Sequence, residues 1–277
     1  MRQRQTEPQV QEGGTRHTWI SSLGDRTPRI IIAVGLCLIA HLALPGSARG
    51  QERAEFELAF VKGVPIGELG TRIDRPVWGA SFHGGRFLRG TTFSVGVRLT
   101  FATYGSDRSE YLPGYSSAVR DGVTYRHDLL TAHLVLRFQP RLARLTPYLE
   151  TYAGINYFFT QAYTGQGGSV PVLAGSAIVL IPTDGANTLR SSVAPSAGVG
   201  AGLKLRLFRF GGGSTGNRSP MTLLLDLQGR YLYGGPAEYL VPGGLRYEEG
   251  RLIIDSRRSR TDLFFLSLGL SVRGPFL

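Results

Sequence analysis

Large apolar side chains alternate with small or polar ones along most of the chain. In the last segment, residues 261–277, apolar side chains occupy every second position from Phe264 to Val272, and Ser267 and Gly269 lie between them. A period of two is that of a β-strand, whose successive side chains point to opposite faces. Each such segment therefore predicts a strand with one apolar face.

Eight segments keep this alternation, and no part of residues 51–277 keeps a convincing helical period. Their apolar faces carry few charges over about nine to eleven residues, which is the length of a tilted strand that crosses a bilayer. Their polar faces are rich in Gly, Ser, Ala and Thr, and carry single charges at mid-strand. The segments are 54–62, 77–87, 92–104, 123–138, 146–161, 192–209, 221–234 and 261–277.

Strands of this length and alternation are typical of membrane barrels. Lipid offers no hydrogen bonds to an open sheet edge, so strands can cross it only as a closed barrel. The sequence therefore predicts an all-β fold, namely a transmembrane antiparallel up-and-down β-barrel.

Long and short connections alternate between the predicted strands. In outer-membrane barrels the short turns are periplasmic and the long loops external. This pattern predicts that both chain ends face the periplasm. The long connections are 63–76, 105–122, 162–191 and 235–260, and the short ones are 88–91, 139–145 and 210–220.

Two further segments, 170–182 and 250–255, are apolar enough to add two strands and give a ten-stranded barrel. Eight strands are favoured because Pro171 and Pro182 are unsuited to central strands. We interpret the two segments as strand extensions above the membrane, or as a hairpin folded over the mouth.

Residues 1–50 have the features of a secretory signal peptide with a long polar leader. An arginine-containing leader precedes an apolar run from Ile30 to Leu44, and Ala48-Arg49-Gly50 offers a small-x-small cleavage site. The run is shorter than the roughly 20 residues of a membrane-spanning helix. The prediction is a signal peptide over 1–50 and a single barrel domain over 51–277.

The charge of the chain does not indicate a nucleic-acid partner. The net charge is +11, yet beyond residue 50 the only lysines are Lys62 and Lys204, and the arginines are spread singly. Clustered basic residues or a nucleic-acid motif would be needed for such a partner. Glycine is abundant, which suits crowded or bent strands.

The layout of strands and turns resembles small outer-membrane β-barrels, the class of the membrane domain of outer-membrane protein A and of short outer-membrane β-barrel domains. The resemblance implies the outer membrane of a Gram-negative-type bacterium, and a structural, adhesion, transport or lipid-modifying role. It rests on "PIGELG", "VWGASFHGG", "SVGVRLTFATYG", "HLVLRFQP", "TPYLETYAGINYFFT" and the final strand.

Alternation places a set of charged side chains inside the barrel. An eight-stranded barrel is just wide enough for side chains to fill it, and buried charges need partners. We expect a polar plug of ion pairs; a narrow arginine-lined channel is the alternative. The predicted network is Glu57, Arg98, Arg137, Glu150, Lys204, Arg206, Asp226, Arg230 and Arg273.

Catalytic and metal-binding patterns are weak. Beyond residue 50 the histidines are His83, His127 and His133, and none lies in a His-x-Ser arrangement on a lipid-facing surface. A lipid A-modifying enzyme would need a nucleophile, a histidine and an orienting carboxylate close together. We expect no catalytic residue, no metal and no cofactor.

Two surface features suggest partners. Arg257, Arg258 and Arg260 lie just before the last strand, where arginines suit the phosphates of lipopolysaccharide; a solvated loop is the alternative. Ser267, Gly269 and Phe276 match the terminal-strand signal read by the outer-membrane assembly machinery. The sequence favours a monomeric, non-enzymatic outer-membrane protein with a structural or surface-interaction role. A narrow-pore transport protein and a lipid A-modifying enzyme are the alternatives.

Overall fold

The computed structural model describes residues 54–109, 123–140, 143–164, 169–174, 177–182, 187–210, 220–248 and 251–275. The predicted signal peptide, residues 1–50, and Phe276 lie outside these ranges. Within them, no helix is long and apolar enough to cross a bilayer.

The described chain consists of strands and one short helix. The elements in chain order are β1 (Ala54–Pro65), α1 (Gly67–Gly70), β2 (Val77–Phe87), β3 (Phe93–Ser109), β4 (Val123–Phe138), β5 (Leu145–Thr164), β6 (Ser169–Ala174), β7 (Ala177–Pro182), β8 (Asn187–Phe210), β9 (Met221–Gly234), β10 (Pro236–Glu248), β11 (Arg251–Arg260) and β12 (Leu263–Gly274).

Eight of these strands form one closed antiparallel barrel in the order β1-β12-β9-β8-β5-β4-β3-β2. Closure occurs between the first and last strands, which pair without a register shift from Ala54 with Gly274 to Pro65 with Leu263. The predicted fold class and the count of eight barrel strands are confirmed, and the ten-strand alternative is wrong.

The two additional apolar segments form hairpins outside the barrel sheet. Strands β6 and β7 pair only with each other, and so do β10 and β11. Four barrel strands, β1, β3, β5 and β8, also run further toward the long connections than the alternation predicts. These extensions end at what we call the long-loop end of the barrel; the opposite end is the short-turn end.

The outer surface of the barrel is apolar. Leu58, Leu149, Val199 and Leu268 each expose more than half of their surface, at 65%, 59%, 59% and 54%. The same strands bury their charged side chains inside. A water-soluble protein places its large apolar side chains in the core, whereas lipid accepts this inverted arrangement. The barrel is therefore a transmembrane one.

Glycine at position 154 allows β5 to approach β4 closely. A Cβ atom there would lie 2.0 Å from the carbonyl oxygen of Ala132, inside any allowed contact. On β9, by contrast, a Cβ atom on Gly229 would make only ordinary contacts, with the Phe264 ring at 3.5 Å and with Leu266 Cδ2 at 3.9 Å. Only the first glycine is required by the local backbone geometry.

We predict that Gly154→Ala destabilises the folded barrel by about 1–3 kcal/mol, because the methyl group forces two strands apart. Gly229→Ala is the matched control and should leave stability unchanged within error. The measurement is the temperature at which the purified protein loses its folded gel mobility in detergent. Equal temperatures for both variants would contradict the close-approach argument.

Candidate functional site: the filled lumen and its mouth

The lumen contains three successive layers of side chains. On β9, Asp226, Arg230 and Leu232 point inward in this order toward the long-loop end, and β3 and β4 show the same sequence of charged, polar and apolar residues. The ion-pair layer is Glu55, Glu57, Arg98, Arg137, Glu150, Lys204, Asp226 and Arg273. The polar layer is Thr100, Thr131, His133, Asn156, Ser196 and Arg230. The apolar cap is Val61, Leu69, Ile73, Tyr104, Phe158, Leu232, Tyr239, Leu240 and Leu263.

Glu55 is the centre of the ion-pair layer. Its Oε1 accepts hydrogen bonds from Arg137 Nη1 and Lys204 Nζ, and its Oε2 accepts one from Arg273 Nε at 2.7 Å. These cations come from three different strands, β4, β8 and β12. One buried carboxylate thus links the first strand of the barrel to the last strand and to the opposite side of the lumen.

The other carboxylates complete the ion-pair layer. Glu57 accepts from Arg98 Nη1 at 2.8 Å and from Arg137 Nη2 at 3.1 Å, and Glu150 pairs with the same two arginines. Asp226 lies 3.3 Å from Lys204 Nζ and accepts a hydrogen bond from a tyrosine hydroxyl. All of these side chains are almost fully buried, so each charge is offset by protein groups rather than by bulk water.

The structure brings together most of the predicted network residues. Arg230 lies inside the barrel but belongs to the polar layer. Arg206 is half-exposed at the short-turn end of β8, where the register shifts between Arg206 and Phe208, and it forms no ion pair with any described residue. The predicted residues that do lie together in the ion-pair layer are Glu57, Arg98, Arg137, Glu150, Lys204, Asp226 and Arg273.

Several residues of the ion-pair layer and its surroundings were not predicted from the sequence. Glu55 lies on the same inward face of β1 as Glu57, so the alternation itself was the signal that could have found it. Tyr148 donates to Asp226, and Tyr152 and Gln228 both donate to Glu150. Neutral tyrosine and glutamine side chains give no charge signal in the sequence, so their roles became clear only from the geometry.

A histidine and a serine meet in the polar layer. His133 Nε2 lies 2.6 Å from Ser196 Oγ, and this hydroxyl donates to Asn156 Oδ1 at 3.1 Å. His133 Nδ1 has no hydrogen-bond partner among the described residues, so no carboxylate orients the ring. An activated nucleophile needs a base that is itself oriented. All three side chains are also buried, so the arrangement fits packing better than catalysis.

Metal-binding geometry is equally lacking in the part of the chain that the structure describes. There, no three or more His, Cys, Asp or Glu side chains are grouped to hold an ion. His83 is buried within the lumen, and His127 lies near the long-loop end.

Hairpin β10–β11 packs against the barrel wall at the long-loop end. Its residues Tyr239 and Leu240 are buried in the apolar cap, and the Tyr239 ring packs 5.6 Å from the Phe158 ring of β5. Tyr104 of β3 donates a hydrogen bond to the Leu240 carbonyl at 3.4 Å. Hydrophobic side chains from the barrel wall and from the hairpin therefore pack in one buried cluster.

Polar contacts fix this hairpin to the rim. Asp107 on β3 accepts a hydrogen bond from the Gly243 amide at 2.6 Å, and the same carboxylate lies 3.2 Å from His127 Nε2. Glu238 pairs with Arg190 on β8, and hydrogen bonds from Arg190 hold the pKa of that carboxyl below its usual value. The hairpin is thus held at two separate points of the rim, on β3 and on β8.

The arginines predicted to meet lipopolysaccharide lie at the base of the same hairpin. Arg257, Arg258 and Arg260 are all exposed. Arg257 pairs with Asp255 at 2.8 Å, and Arg260 with Asp262 at 2.9 Å. Arg258 forms no ion pair with a described residue. The Arg260 guanidinium also lies 4.3 Å above the outward-facing ring of Tyr233, at the upper edge of the apolar surface.

The residues of the predicted assembly signal lie at the seam of the barrel. Ser267 is buried and donates to Gln228 Oε1 at 3.3 Å. Gly269 pairs with Ala59, and a Cβ atom on it would lie 2.5 Å from the Ala59 Cβ. Phe276, the third predicted residue, lies outside the described ranges. The serine and the glycine therefore have structural roles at closure.

No protein-family model and no curated protein sequence matches the chain. One solved structure that it resembles is neisserial surface protein A. The two chains are 12% identical, the alignment covers 82% of this chain and 97% of the neighbour, and the TM-score is 0.36. Another is the attachment invasion locus protein Ail of Yersinia pestis, solved in complex with the heparin analogue sucrose octasulfate. The two chains are 12% identical, the alignment covers 81% of this chain and 99% of the neighbour, and the TM-score is 0.37.

A third neighbour is the N-terminal β-barrel domain of Pseudomonas aeruginosa OprF. The two chains are 12% identical, the alignment covers 81% of this chain and 99% of the neighbour, and the TM-score is 0.31. Likeness at these values says nothing about ligand or activity. The fold described above rests on the strand pairing and the apolar outer face of this chain.

We predict that Glu55→Gln lowers the free energy of unfolding by about 3–5 kcal/mol, because three buried cations lose their shared counter-charge. Asp74→Asn is the control, since Asp74 is 94% exposed and lies 4.0 Å from Arg75; it should leave stability unchanged within error. Urea unfolding of the protein in lipid vesicles measures both. Equal stability of Glu55→Gln and the unaltered protein would show that Glu55 is not central.

Proposed function

We propose that the protein is a non-enzymatic integral outer-membrane barrel with a plugged lumen, which acts as a structural or surface-interaction protein. The ion-pair layer carries this proposal. Its eight charged side chains come from seven of the barrel strands and are almost fully buried. An eight-stranded barrel has room for side chains but little more, so these residues leave no wide path for a solute.

The apolar cap adds a second barrier above the ion pairs. Passage of an ion would require it to leave water beside Phe158, Tyr239 and Leu240, where no charge of opposite sign offsets the cost. A path for solutes would therefore require both layers to rearrange. This arrangement supports a static barrel over a channel.

The location of the protein is part of the proposal. The apolar outer surface needs lipid, the predicted signal peptide directs export, and closed barrels of this kind are characteristic of the outer membrane. We further propose that the assembly machinery reads Ser267, Gly269 and Phe276 in the terminal strand, and that the barrel works as a monomer.

The proposed surface interaction involves three arginines on the external side of the barrel. Arg257, Arg258 and Arg260 lie at the upper edge of the apolar surface, at the level where lipid headgroups meet water. Guanidinium groups bind phosphate through paired hydrogen bonds. We therefore propose that these three arginines contact the phosphates of lipopolysaccharide.

Planar-bilayer recording tests the plugged lumen. We predict no discrete conductance steps from purified protein whose folded state is verified by its gel mobility before heating. The physical reason is that both lumen layers are filled. Regular steps whose anion selectivity falls in a Lys204→Met variant would contradict the proposal and support a narrow-pore transport protein.

We predict that replacing Arg257, Arg258 and Arg260 by serine weakens lipopolysaccharide binding roughly tenfold, because each basic side chain near an anionic surface contributes about 1 kcal/mol and two of the three already have protein partners. Titration of lipopolysaccharide into the detergent-solubilised protein measures the affinity. The control replaces Arg89, Arg144 and Arg209, three exposed arginines at the short-turn end, and should bind normally. Equal affinities for both triple variants would refute the contact.

A further inference from the structure

Arg230 is the one lumen cation without a carboxylate partner among the described residues. Its side chain is 1% exposed and reaches across the barrel from β9 to β3, where Nη2 donates to Thr100 Oγ1 at 2.8 Å. The guanidinium carbon lies 4.7 Å from the centre of the Phe265 ring. The remaining nitrogens, Nε and Nη1, have no hydrogen-bond partner in the part of the chain that the structure describes.

The carboxylates of the ion-pair layer are already engaged by other cations. Glu55, Glu57, Glu150 and Asp226 all pair with members of that layer, and none forms an ion pair with Arg230. Together the ion-pair and polar layers contain five cationic side chains and four carboxylates. Among the described residues of these two layers, one positive charge therefore remains without a paired carboxylate, and burying an unpaired charge is strongly unfavourable.

Other unsatisfied polar groups lie at the same level. Thr100, the partner of Arg230, is paired in register with Thr131 on β4, and Thr131 is paired with Asn156 on β5. Thr131 Oγ1 and Asn156 Nδ2 are both buried and have no hydrogen-bond partner among the described residues. Several polar groups near this level are therefore unsatisfied, and the described residues offer no unpaired carboxylate to the guanidinium.

We propose that the polar layer is a binding site for one small monovalent anion of the size of chloride, held by Arg230 Nε and Nη1 with Thr131 and Asn156 nearby. A water molecule could accept these hydrogen bonds but would leave the positive charge uncompensated. An anion supplies both the acceptor and the charge. Since the ion-pair layer lies below and the apolar cap above, the ion is enclosed and serves as a structural component of the barrel.

The test supplies the missing charge from the protein itself. Thr100→Asp places a carboxylate where the threonine hydroxyl meets the guanidinium, so the variant no longer needs an external anion. Thr100→Asn is the matched control, because it is similar in size and neutral. Each protein is refolded from urea into detergent, at constant ionic strength, in either sodium chloride or sodium gluconate, whose anion is much larger.

We expect chloride to raise the unfolding temperature of the unaltered protein and of Thr100→Asn by on the order of 5 °C, the size of shift that a saturated ligand site produces. Thr100→Asp should have the same unfolding temperature in both salts. The proposal is overturned if the unaltered protein does not respond to chloride, or if the two variants respond equally.

A second measurement does not depend on the folding of Thr100→Asp. Arg230→Met removes the charge and should abolish the response to chloride. Crystals of the unaltered protein grown in bromide should show anomalous scattering within hydrogen-bond distance of the Arg230 guanidinium. Absence of that signal, with Arg230 ordered, would show that water satisfies the site.

Discussion

The pairing of Glu55 with cations from three other strands can exist only in a closed barrel. Glu55 belongs to the first strand, Arg273 to the last, and Arg137 and Lys204 to strands across the lumen. Each of these charges would be costly to bury alone, and together they offset one another. The ion pairs thus make the polar interior tolerable, and lipid around the apolar exterior makes the closed form necessary.

The same constraint explains the order of the layers. Charged side chains occupy the ion-pair layer, where strands on all sides of the lumen supply partners. Nearer the mouth, Tyr104, Phe158 and Tyr239 replace them, because the hairpin brings its own apolar side chains into contact with the wall. The polar layer between the two is the place where the match of donors and acceptors is incomplete.

Much of the barrel could be predicted because its strands alternate strictly. A period of two fixes both the inward row, such as Glu57 and Arg98, and the outward row, such as Leu58 and Leu268. The prediction failed at a strand end: Arg206 keeps the inward register opposite Leu224, but it lies at the short-turn end of β8, where it is half-exposed and forms no ion pair with a described residue. Which inward charges meet depends on strand order and tilt around the ring, so the central role of Glu55 could not be deduced from one strand.

The position of the β10–β11 hairpin has a mechanical consequence. The hairpin leaves the barrel between β9 and β12 and is fixed to β3, which lies on the opposite side of the eight-stranded ring. It therefore works as a cross-brace over one end of the cylinder. A brace across the diameter resists deformation of the rim, where the lumen contains the apolar cap and not the ion pairs.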